Sequence, residues 1–210
     1  KMSEPKVKYT LRQVVYDTGI TAAAAVDLLA AEDIDDMTGY AGATEAAGAV
    51  LKNDGTGGTT GLVAVATRLE HPRNIRLTQV VDGCTGGNVR IIGIGMNGLP
   101  TSEVIALRAS SGSTDGNVPF LRVDEVHVWG VTGTLSTTDT LAITNGPKIG
   151  LPLGSDEELF DVVKERFNLV DIAVTTANIS RTYGTYQPTS TLDGLKALEI
   201  WYTTKTLANF

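Results

Sequence analysis

The sequence predicts a mainly β protein, an antiparallel β-sandwich or barrel with an extended, partly helical N-terminal arm. From residue 61 onward, short runs rich in Val, Ile, Leu and Thr alternate apolar and polar positions, which is the period of a half-buried strand. Clusters of Gly, Asn, Asp, Pro and Ser interrupt these runs at intervals of about 8–15 residues, a spacing typical of antiparallel sandwiches and barrels. Residues 1–60 have a different composition, so we expect an arm over 1–60 and a β domain over 61–210.

The arm is predicted to be extended or partly helical. Its Ala-rich segment, residues 21–31, has high helix propensity, and Thr21 is a suitable N-cap. The apolar face of such a helix is narrow, because few residues in the segment are larger than alanine. We therefore expect residues 1–60 to pack against another surface, which belongs either to the same domain or to a neighbouring subunit.

The strands of the β domain follow one another along the chain, separated by turn residues. In the last of them the two faces are distinct, with Leu198, Ile200 and Tyr202 on one face and Trp201 on the other. In chain order the predicted strands are "GLVAVATRLE", "NIRLTQVV", "NVRIIGIGM", "SEVIALRAS", "VDEVHVWGVTG", "DTLAITNGPKIGL" and "LKALEIWYTTK".

One segment of the β domain, "GSDEELFDVVKERFNLV", fits two structures. Ser155 and Glu158 have the spacing of a helix capping box. The apolar side chains that follow have a helical rhythm, namely Leu159, Val162, Val163 and Phe167. The shorter run "LFDVVKERF" also fits a strand. The sequence leaves both a short helix and a strand open here.

Residues 89–100, "VRIIGIGMNGLP", contain the glycine spacing of a dinucleotide-binding loop. Gly93, Gly95 and Gly98 spell G-x-G-x-x-G after a strand-like run. The helix that must follow to bind the phosphates ends early, at "SSGSTDG". The pair Asn97-Gly98 is instead a strong signal for a hairpin turn, because both residues tolerate positive φ. We predict a hairpin and no nucleotide or other cofactor, and we expect Gly95→Val to damage packing or assembly.

Charge and cysteine content argue against several functional classes. The formal net charge is −7 and no run of Lys or Arg stands out, so we expect no nucleic-acid partner. No stretch approaches the roughly 20 apolar residues of a membrane helix, so we expect no membrane contact. Cys84 is the single cysteine, which excludes an intrachain disulfide and, with only two histidines, argues against zinc. The acidic "DIDDMTG" lacks the Gly and Glu positions of a calcium loop, so we expect no metal.

Few residues are suited to acid–base catalysis. The histidines are His71, in a predicted loop or strand edge, and His127. Within "VDEVHVWG", Glu125 and His127 would share one face of a strand, and such a pair is able to act as a general acid and base. More often such a pair faces solvent or an interface, and no nucleophile motif accompanies it. We expect no enzyme, and catalysis by this pair stays as the alternative.

Aromatic and glycine residues are the candidates for an interface. Tyr183 and Tyr186, in "RTYGTYQP", suit a contact surface, where tyrosines are favoured. Gly93 and Gly95 lie two apart on one strand face, which leaves a bare stripe that a second backbone can approach. Trp129 packs in the core by default and joins the candidates as a large aromatic.

Four phrases of the β domain occur together in a pattern that is similar to a known group. They are "HPRNIRLTQV", "GGNVRIIGIGMNGLPTSEVIAL", "VDEVHVWGV…TDTLAITNGPKIGLP" and "RTYGTYQPTSTLDGLKALEIWYT". The pattern resembles a group of tailed-bacteriophage virion proteins, β-rich structural proteins commonly taken to be head decoration (cement) proteins. The resemblance covers about residues 70–203, and the charged "SDEELFDVVKERF" departs from it.

The resemblance implies assembly and not catalysis. It implies a structural protein on the outside of a phage head, made in the host cytoplasm, that stabilises the capsid through contacts between subunits. The implied partners are the major capsid protein and further copies of this chain, for example as a trimer. Two alternatives stay open: a tail, collar or fibre-base component, and a carbohydrate-binding β-sandwich module with an exposed platform at Trp129 or Trp201.

Overall fold

Strands dominate the computed structural model, which describes residues 6–17, 19–24, 27–52, 58, 61–62, 68–154 and 156–208. Strands make up 60% of the chain and helical turns 4%, so the prediction of a mainly β protein is confirmed. Short 3-10 helices lie at Glu45–Ala47 and at Thr176–Asn178. The strands are β1 Lys6–Tyr16, β2 Asp27–Asp33, β3 Ala49–Lys52, β4 Arg68–Val80, β5 Cys84–Gly95, β6 Pro100–Leu107, β7 Gly112–Asp115, β8 Phe120–Gly133, β9 Thr140–Gly150, β10 Glu157–Phe167, β11 Val170–Ile172, β12 Ile179–Ser180, β13 Thr185–Tyr186 and β14 Leu198–Ala208.

The chain divides into two compact units, each with its own apolar core. Unit 1 comprises residues 1–22 and 148–210, and unit 2 comprises residues 23–147. The division therefore lies at 22/23 and at 147/148, whereas the change in composition used for the predicted boundary lies at residue 60. Two separate clusters of buried side chains match the two units.

Unit 2 is an antiparallel sheet organised around its longest strand. β8 pairs with β5 along most of its length, and β6 continues the sheet beyond β5. The other side of β8 pairs with β4 and with β3. β7 pairs with β4, and β2 pairs with the first part of β9. Val126 and Val128 of β8 are buried between these neighbours, as the alternation in "VDEVHVWG" predicts.

The helix expected over residues 21–31 is not formed in the described part of that segment. Ala23 and Ala24 form a turn, Ala25 and Val26 lie outside the described residues, and residues 27–33 are strand β2. Leu28 and Leu29 are fully buried in the unit 2 core. Burying a leucine is worth about 1.5–3 kcal/mol, whereas alanine's helix preference is worth only about 0.7 kcal/mol or less per residue. Tertiary packing therefore outweighs local propensity here.

The predicted hairpin at residues 89–100 is confirmed. β5 ends at Gly95, β6 begins at Pro100, and Gly98 has a φ of +77° in the turn between them. The Gly98 N–H donates to the carbonyl of Gly95 at 3.0 Å, and the Gly95 N–H donates to the carbonyl of Leu99 at 2.9 Å. The backbone of Asn97-Gly98 thus closes a turn between antiparallel strands, and no helix follows the glycines.

Unit 1 contains a four-stranded antiparallel sheet in the order β1-β14-β10-β11. β1 and β14 pair in one continuous register from Lys6↔Ala208 to Tyr16↔Leu198. Every second residue of β14 from Leu198 to Tyr202 is buried, which confirms the predicted alternation. β12 and β13 pair with each other, and β13 also pairs with the last residues of β9. The apolar side of the four-stranded sheet packs on the unit 1 core.

The segment that fitted both a helix and a strand is strand β10. Ser155, the predicted N-cap, lies outside the described residues, and β10 runs from Glu157 to Phe167. Its register against β14 shifts twice, between Leu159 and Asp161 and between Val162 and Lys164. Each shift inserts one extra residue, a β-bulge. The bulges make buried positions recur every third residue, which imitates a helical rhythm.

Candidate functional site

Glu125 and His127 lie on one face of β8, as predicted, within a network of polar side chains. The 3-10 helix brings Glu45 to the same imidazole: its Oε1 lies 2.9 Å from His127 Nδ1, while Glu125 Oε2 lies 3.1 Å from His127 Nε2. Arg90 Nη1 lies 3.2 Å from the other oxygen of Glu45. Lys52 Nζ lies 3.9 Å from the other oxygen of Glu125. The five side chains connect β3, β5 and β8 with the 3-10 helix.

Both ring nitrogens of His127 contact a carboxylate, and the two carboxylates belong to different elements, β8 and the 3-10 helix. The network therefore holds the 3-10 helix against β8. Each ring nitrogen already has a carboxylate oxygen within 3.1 Å, so neither nitrogen is directed at a substrate in this arrangement. Main-chain bonds support the same contact, because the Gly130 N–H donates to the carbonyl of Gly42 at 2.7 Å and the Val131 N–H donates to that of Tyr40 at 3.2 Å. The geometry favours a structural role for His127 over acid–base catalysis.

Gly93 and Gly95 are both buried in unit 2, beside two of the register shifts between β5 and β8. A Cβ added to Gly93 would lie 2.0 Å from the carbonyl oxygen of Arg122, on the backbone of β8. A Cβ added to Gly95 would lie 3.1 Å from the Thr101 Cγ2, a side-chain atom on β6. The close backbone approach predicted for this stripe therefore occurs at Gly93, against a strand of the same unit.

We expect Gly93→Ala to lower the free energy of unfolding by about 2–3 kcal/mol, because β8 must shift to admit the methyl group. Gly95→Ala is the matched control, with the same chemical change two residues along the same strand. It should cost less than about 1 kcal/mol, since the Thr101 side chain has room to adjust. Urea unfolding of both variants measures the difference. Equal losses would show that the contact at Arg122 does not determine the preference for glycine.

The predicted interface aromatics differ in how far they are accessible. Tyr183 is 40% exposed in the turn before β13. Tyr186 is fully buried, and its hydroxyl donates to Glu165 at 2.5 Å. Burial and this hydrogen bond raise the pKa of Tyr186 far above its usual range. Trp129 is half-buried on β8. Tyr183 and the open part of Trp129 are thus available for contacts, whereas the Tyr186 side chain belongs to the core of unit 1.

The four-stranded sheet of unit 1 presents a second face away from its core, on which apolar and charged side chains are mixed. Residues paired across β1 and β14 share this face, for example Tyr9 with Lys205, Leu11 with Thr203 and Gln13 with Trp201. Most of its apolar members are exposed to solvent. We call it the outer face, and its apolar residues are Val7, Tyr9, Leu11, Val15, Phe160, Val163 and Trp201.

Both bulges of β10 place a large apolar side chain on the outer face. The inserted residues are Phe160 and Val163, and Val163 is 58% exposed. The rings of Phe160 and Tyr9 meet edge to face, with centroids 4.8 Å apart, an arrangement that stabilises aromatic pairs. Bulges are a common means of redirecting a side chain. Here the two inserted residues add apolar surface between the charged side chains of β10 on this face.

Trp201 lies on the outer face beneath two cations. Lys164 Nζ and Arg166 Cζ each lie 5.2 Å from the centre of its ring, within the range of cation–π attraction. Asp171 in turn binds both cations, at 2.7 Å and 2.8 Å, and their hydrogen bonds hold its pKa below the usual range. The indole is therefore covered by its own sheet and does not form an open aromatic platform.

Sequence reasoning missed β1, the strand at the edge of the outer face, because residues 1–60 were interpreted as an arm. The signal was present in "KVKYTLRQVVY", where Val7, Tyr9 and Leu11 alternate with polar residues. Neither the bulges of β10 nor the pairing of β1 with β14 has a signature in the local sequence.

Comparison with known proteins adds no relative. No protein-family model, no curated protein and no solved structure matches this chain. Within the described residues, no group of three or more His, Cys, Asp and Glu side chains has the arrangement of a metal site. No helix in the described part of the chain is long and apolar enough to cross a membrane.

Proposed function

We propose that this chain is a structural virion protein, a decoration (cement) protein that binds the outside of a phage head. It stabilises the capsid by contacts with the major capsid protein and with further copies of itself. The sequence resemblance over residues 70–203 supports the virion assignment. With it we propose an antiparallel sandwich or barrel architecture for the β-rich chain.

The observation that carries the proposal is the outer face of unit 1. A face that joins exposed aliphatic and aromatic side chains is typical of a protein–protein contact. Tyr9 and Phe160 are already packed against each other, so they lose little conformational freedom when a partner covers them. Tyr183, on the turn before β13, adds an exposed tyrosine in the same unit.

A carbohydrate-binding module is the second candidate, and it needs an open aromatic ring. The two cations over Trp201 make that residue a poor platform. Trp129 is half-buried on β8 and stays as the residue to test. Glycan binding that is lost in Trp129→Ala would support this second function. A tail, collar or fibre-base location shares the same assembly chemistry and differs only in the partner.

The test is co-sedimentation of the purified chain with expanded capsids that lack it, from the phage that encodes it. We expect saturable binding and a higher temperature of capsid disruption. Val163→Glu introduces a charge at the most exposed point of the β10 bulges, and we expect it to weaken binding at least tenfold, the effect of losing an interface hot spot of about 1.4 kcal/mol or more.

Leu195→Glu is the matched control for this experiment. Leu195 is 83% exposed and belongs to unit 1, but it lies in the loop before β14 and not on the outer face. Its binding should equal that of the unmodified chain. A folded chain that stays in the supernatant with expanded capsids, but sediments with purified tails, would contradict a head location and support a tail location. Binding to neither particle would contradict a virion function.

A further inference from the structure

The free edge of β1 has the properties of a site for another strand. β1 pairs with β14 on one side and, within the described residues, with no strand on its other side. It has 11 residues, about twice the usual strand length. The N–H and C=O groups of a long, exposed edge are a template for pairing, and proteins usually shorten or cover such edges.

We propose that two copies of this chain associate through β1, which pairs antiparallel with β1 of the second copy around a two-fold axis at Leu11. The proposal rests on the assembly function proposed above and names the contact by which copies join. A two-fold axis perpendicular to the sheet keeps the outer face of one copy continuous with that of the other. It also makes the interface isologous, the commonest form in homo-oligomers.

Self-complementarity of the outer face favours this register. With Leu11 opposite its own copy, Val7 lies opposite Val15 and Tyr9 lies opposite Gln13, because residues directly opposite each other on an antiparallel pair share a face. Leu11 is 63% exposed, so the axis covers the most exposed apolar residue of the strand. Cross-strand aliphatic pairs of this kind stabilise a sheet.

Charge selects the same register. On the other face, Lys8 lies opposite Val14 and Arg12 lies opposite Thr10 when Leu11 is on the axis. A shift that places Thr10 on the axis sets Lys8 opposite Arg12, and one that places Arg12 on the axis sets Arg12 opposite itself. Like charges directly opposite each other are destabilising. The register at Leu11 is also the one in which all 11 residues of β1 find a partner.

The environment of Arg12 lowers the cost of bringing two basic strands together. Its Nη2 donates to Glu157 Oε1 at 2.6 Å, and Glu157 is on β10 of the same copy. This hydrogen bond holds the pKa of Glu157 below its usual range, so the carboxylate stays charged beside the guanidinium. Pairing along 11 residues then adds main-chain hydrogen bonds, on the order of ten, to the apolar contacts.

Cysteine cross-linking tests the contact and its register. We expect Leu11→Cys to form a covalent dimer under mild oxidation or with a short bismaleimide, because the two Cβ atoms on the axis lie about 5 Å apart. The native Cys84 is buried and does not compete. Leu195→Cys, an exposed thiol away from β1, is the control and should stay monomeric on denaturing gels.

The register is tested by mixing two variants. Tyr9→Cys and Gln13→Cys should each cross-link poorly alone and efficiently when mixed, because these positions face each other across the axis. Self-cross-linking of Tyr9→Cys as efficient as that of Leu11→Cys would indicate an axis at Tyr9, which is a register shift of four residues, and would overturn the proposed axis. Absence of a Leu11→Cys dimer, at concentrations where the unmodified chain is associated, would overturn pairing through β1.

Mass measurement in solution separates this inference from the proposed function. We expect an even number of copies for the unmodified chain and monomers for Leu11→Lys, which puts two charges on the axis, with circular dichroism as the check of folding. A monomeric or trimeric unmodified chain, or an associated Leu11→Lys, would overturn the β1 contact even if the chain binds capsids. Dimers that cross-link at residue 11 and bind no virion particle would overturn the proposed function alone.

Discussion

Asp139→Ala should lower the free energy of unfolding by about 3–5 kcal/mol. The buried carboxylate of Asp139 accepts main-chain N–H groups from Asp82, Gly83, Cys84 and Ser136, at distances from 2.9 Å to 3.2 Å. Removal of the carboxylate leaves these donors without an acceptor, and each buried orphan donor costs about 1–3 kcal/mol, although such costs are not fully additive. Urea unfolding measures the loss.

The same site predicts how stability depends on pH. Burial raises the pKa of Asp139, but the four main-chain donors outweigh burial and hold the pKa well below its usual range. The unfolded chain binds a proton near pH 3.9 and the folded chain does so only at lower pH. The stabilisation is therefore complete above about pH 5 and decreases as the pH falls through the unfolded-state pKa toward the folded-state pKa.

Asp139→Asn isolates this contribution, because the amide keeps one acceptor oxygen and does not titrate. We expect its stability to be lower than that of the unmodified chain at pH 7, with the difference narrowing on acidification below about pH 5. Asp36→Asn is the control, since Asp36 is an exposed carboxylate in the same unit. A difference that does not change with pH would contradict the depressed pKa of Asp139.

Features that depend on neighbouring residues were predictable from the sequence. The hairpin at Asn97-Gly98 follows from the tolerance of that dipeptide for positive φ, and Gly98 has the expected conformation. The strands β8 and β14 alternate regularly, and Val126, Val128, Ile200 and Tyr202 are buried as expected. In these elements the local pattern and the tertiary packing agree.

Features that depend on distant partners were not predictable. β1 pairs with a strand at the other end of the chain, so its role as a sheet edge has no local signal. Glu45 reaches His127 only because a 3-10 helix packs on β8. In β10 the two bulges replace a period of two by a period of three, which is why a helical interpretation fitted. A rhythm of buried residues identifies a strand only where its pairing is regular.

Glu165→Ala should lower the free energy of unfolding by about 3–5 kcal/mol, as much as Asp139→Ala, through a site in unit 1. Glu165 is fully buried on β10. Its carboxylate accepts the Tyr186 hydroxyl at 2.5 Å, the Thr189 N–H at 2.9 Å, and both the N–H, at 3.0 Å, and the hydroxyl of Ser190. Hydrogen bonds to a charged group are worth about 1.5–3 kcal/mol each, and the carboxylate connects β10 with the chain after β13.

Two further variants distinguish the loss of the Glu165 carboxylate from the loss of side-chain volume. Glu165→Gln keeps the side-chain volume but turns an amide NH₂ toward hydrogen-bond donors, so it should lower the free energy of unfolding by at least about 1.5 kcal/mol. Tyr186→Phe removes a single donor and should lose about 1–2 kcal/mol. Glu158→Ala, on the same strand, is the control. Glu158 is exposed and lies 3.8 Å from Lys205, and a surface pair of this kind contributes at most about 1 kcal/mol.

A double-mutant cycle measures the coupling energy between the Glu165 carboxylate and the Tyr186 hydroxyl. If the hydroxyl and the carboxylate stabilise each other, the loss in the double variant Glu165→Gln/Tyr186→Phe should be smaller than the sum of the single losses by at least about 0.5 kcal/mol. Additive losses would show that the 2.5 Å contact adds nothing beyond burial. In that case Thr189 and Ser190 alone would account for the requirement for a buried carboxylate, and the stability of the segment after β13 would depend on its main chain.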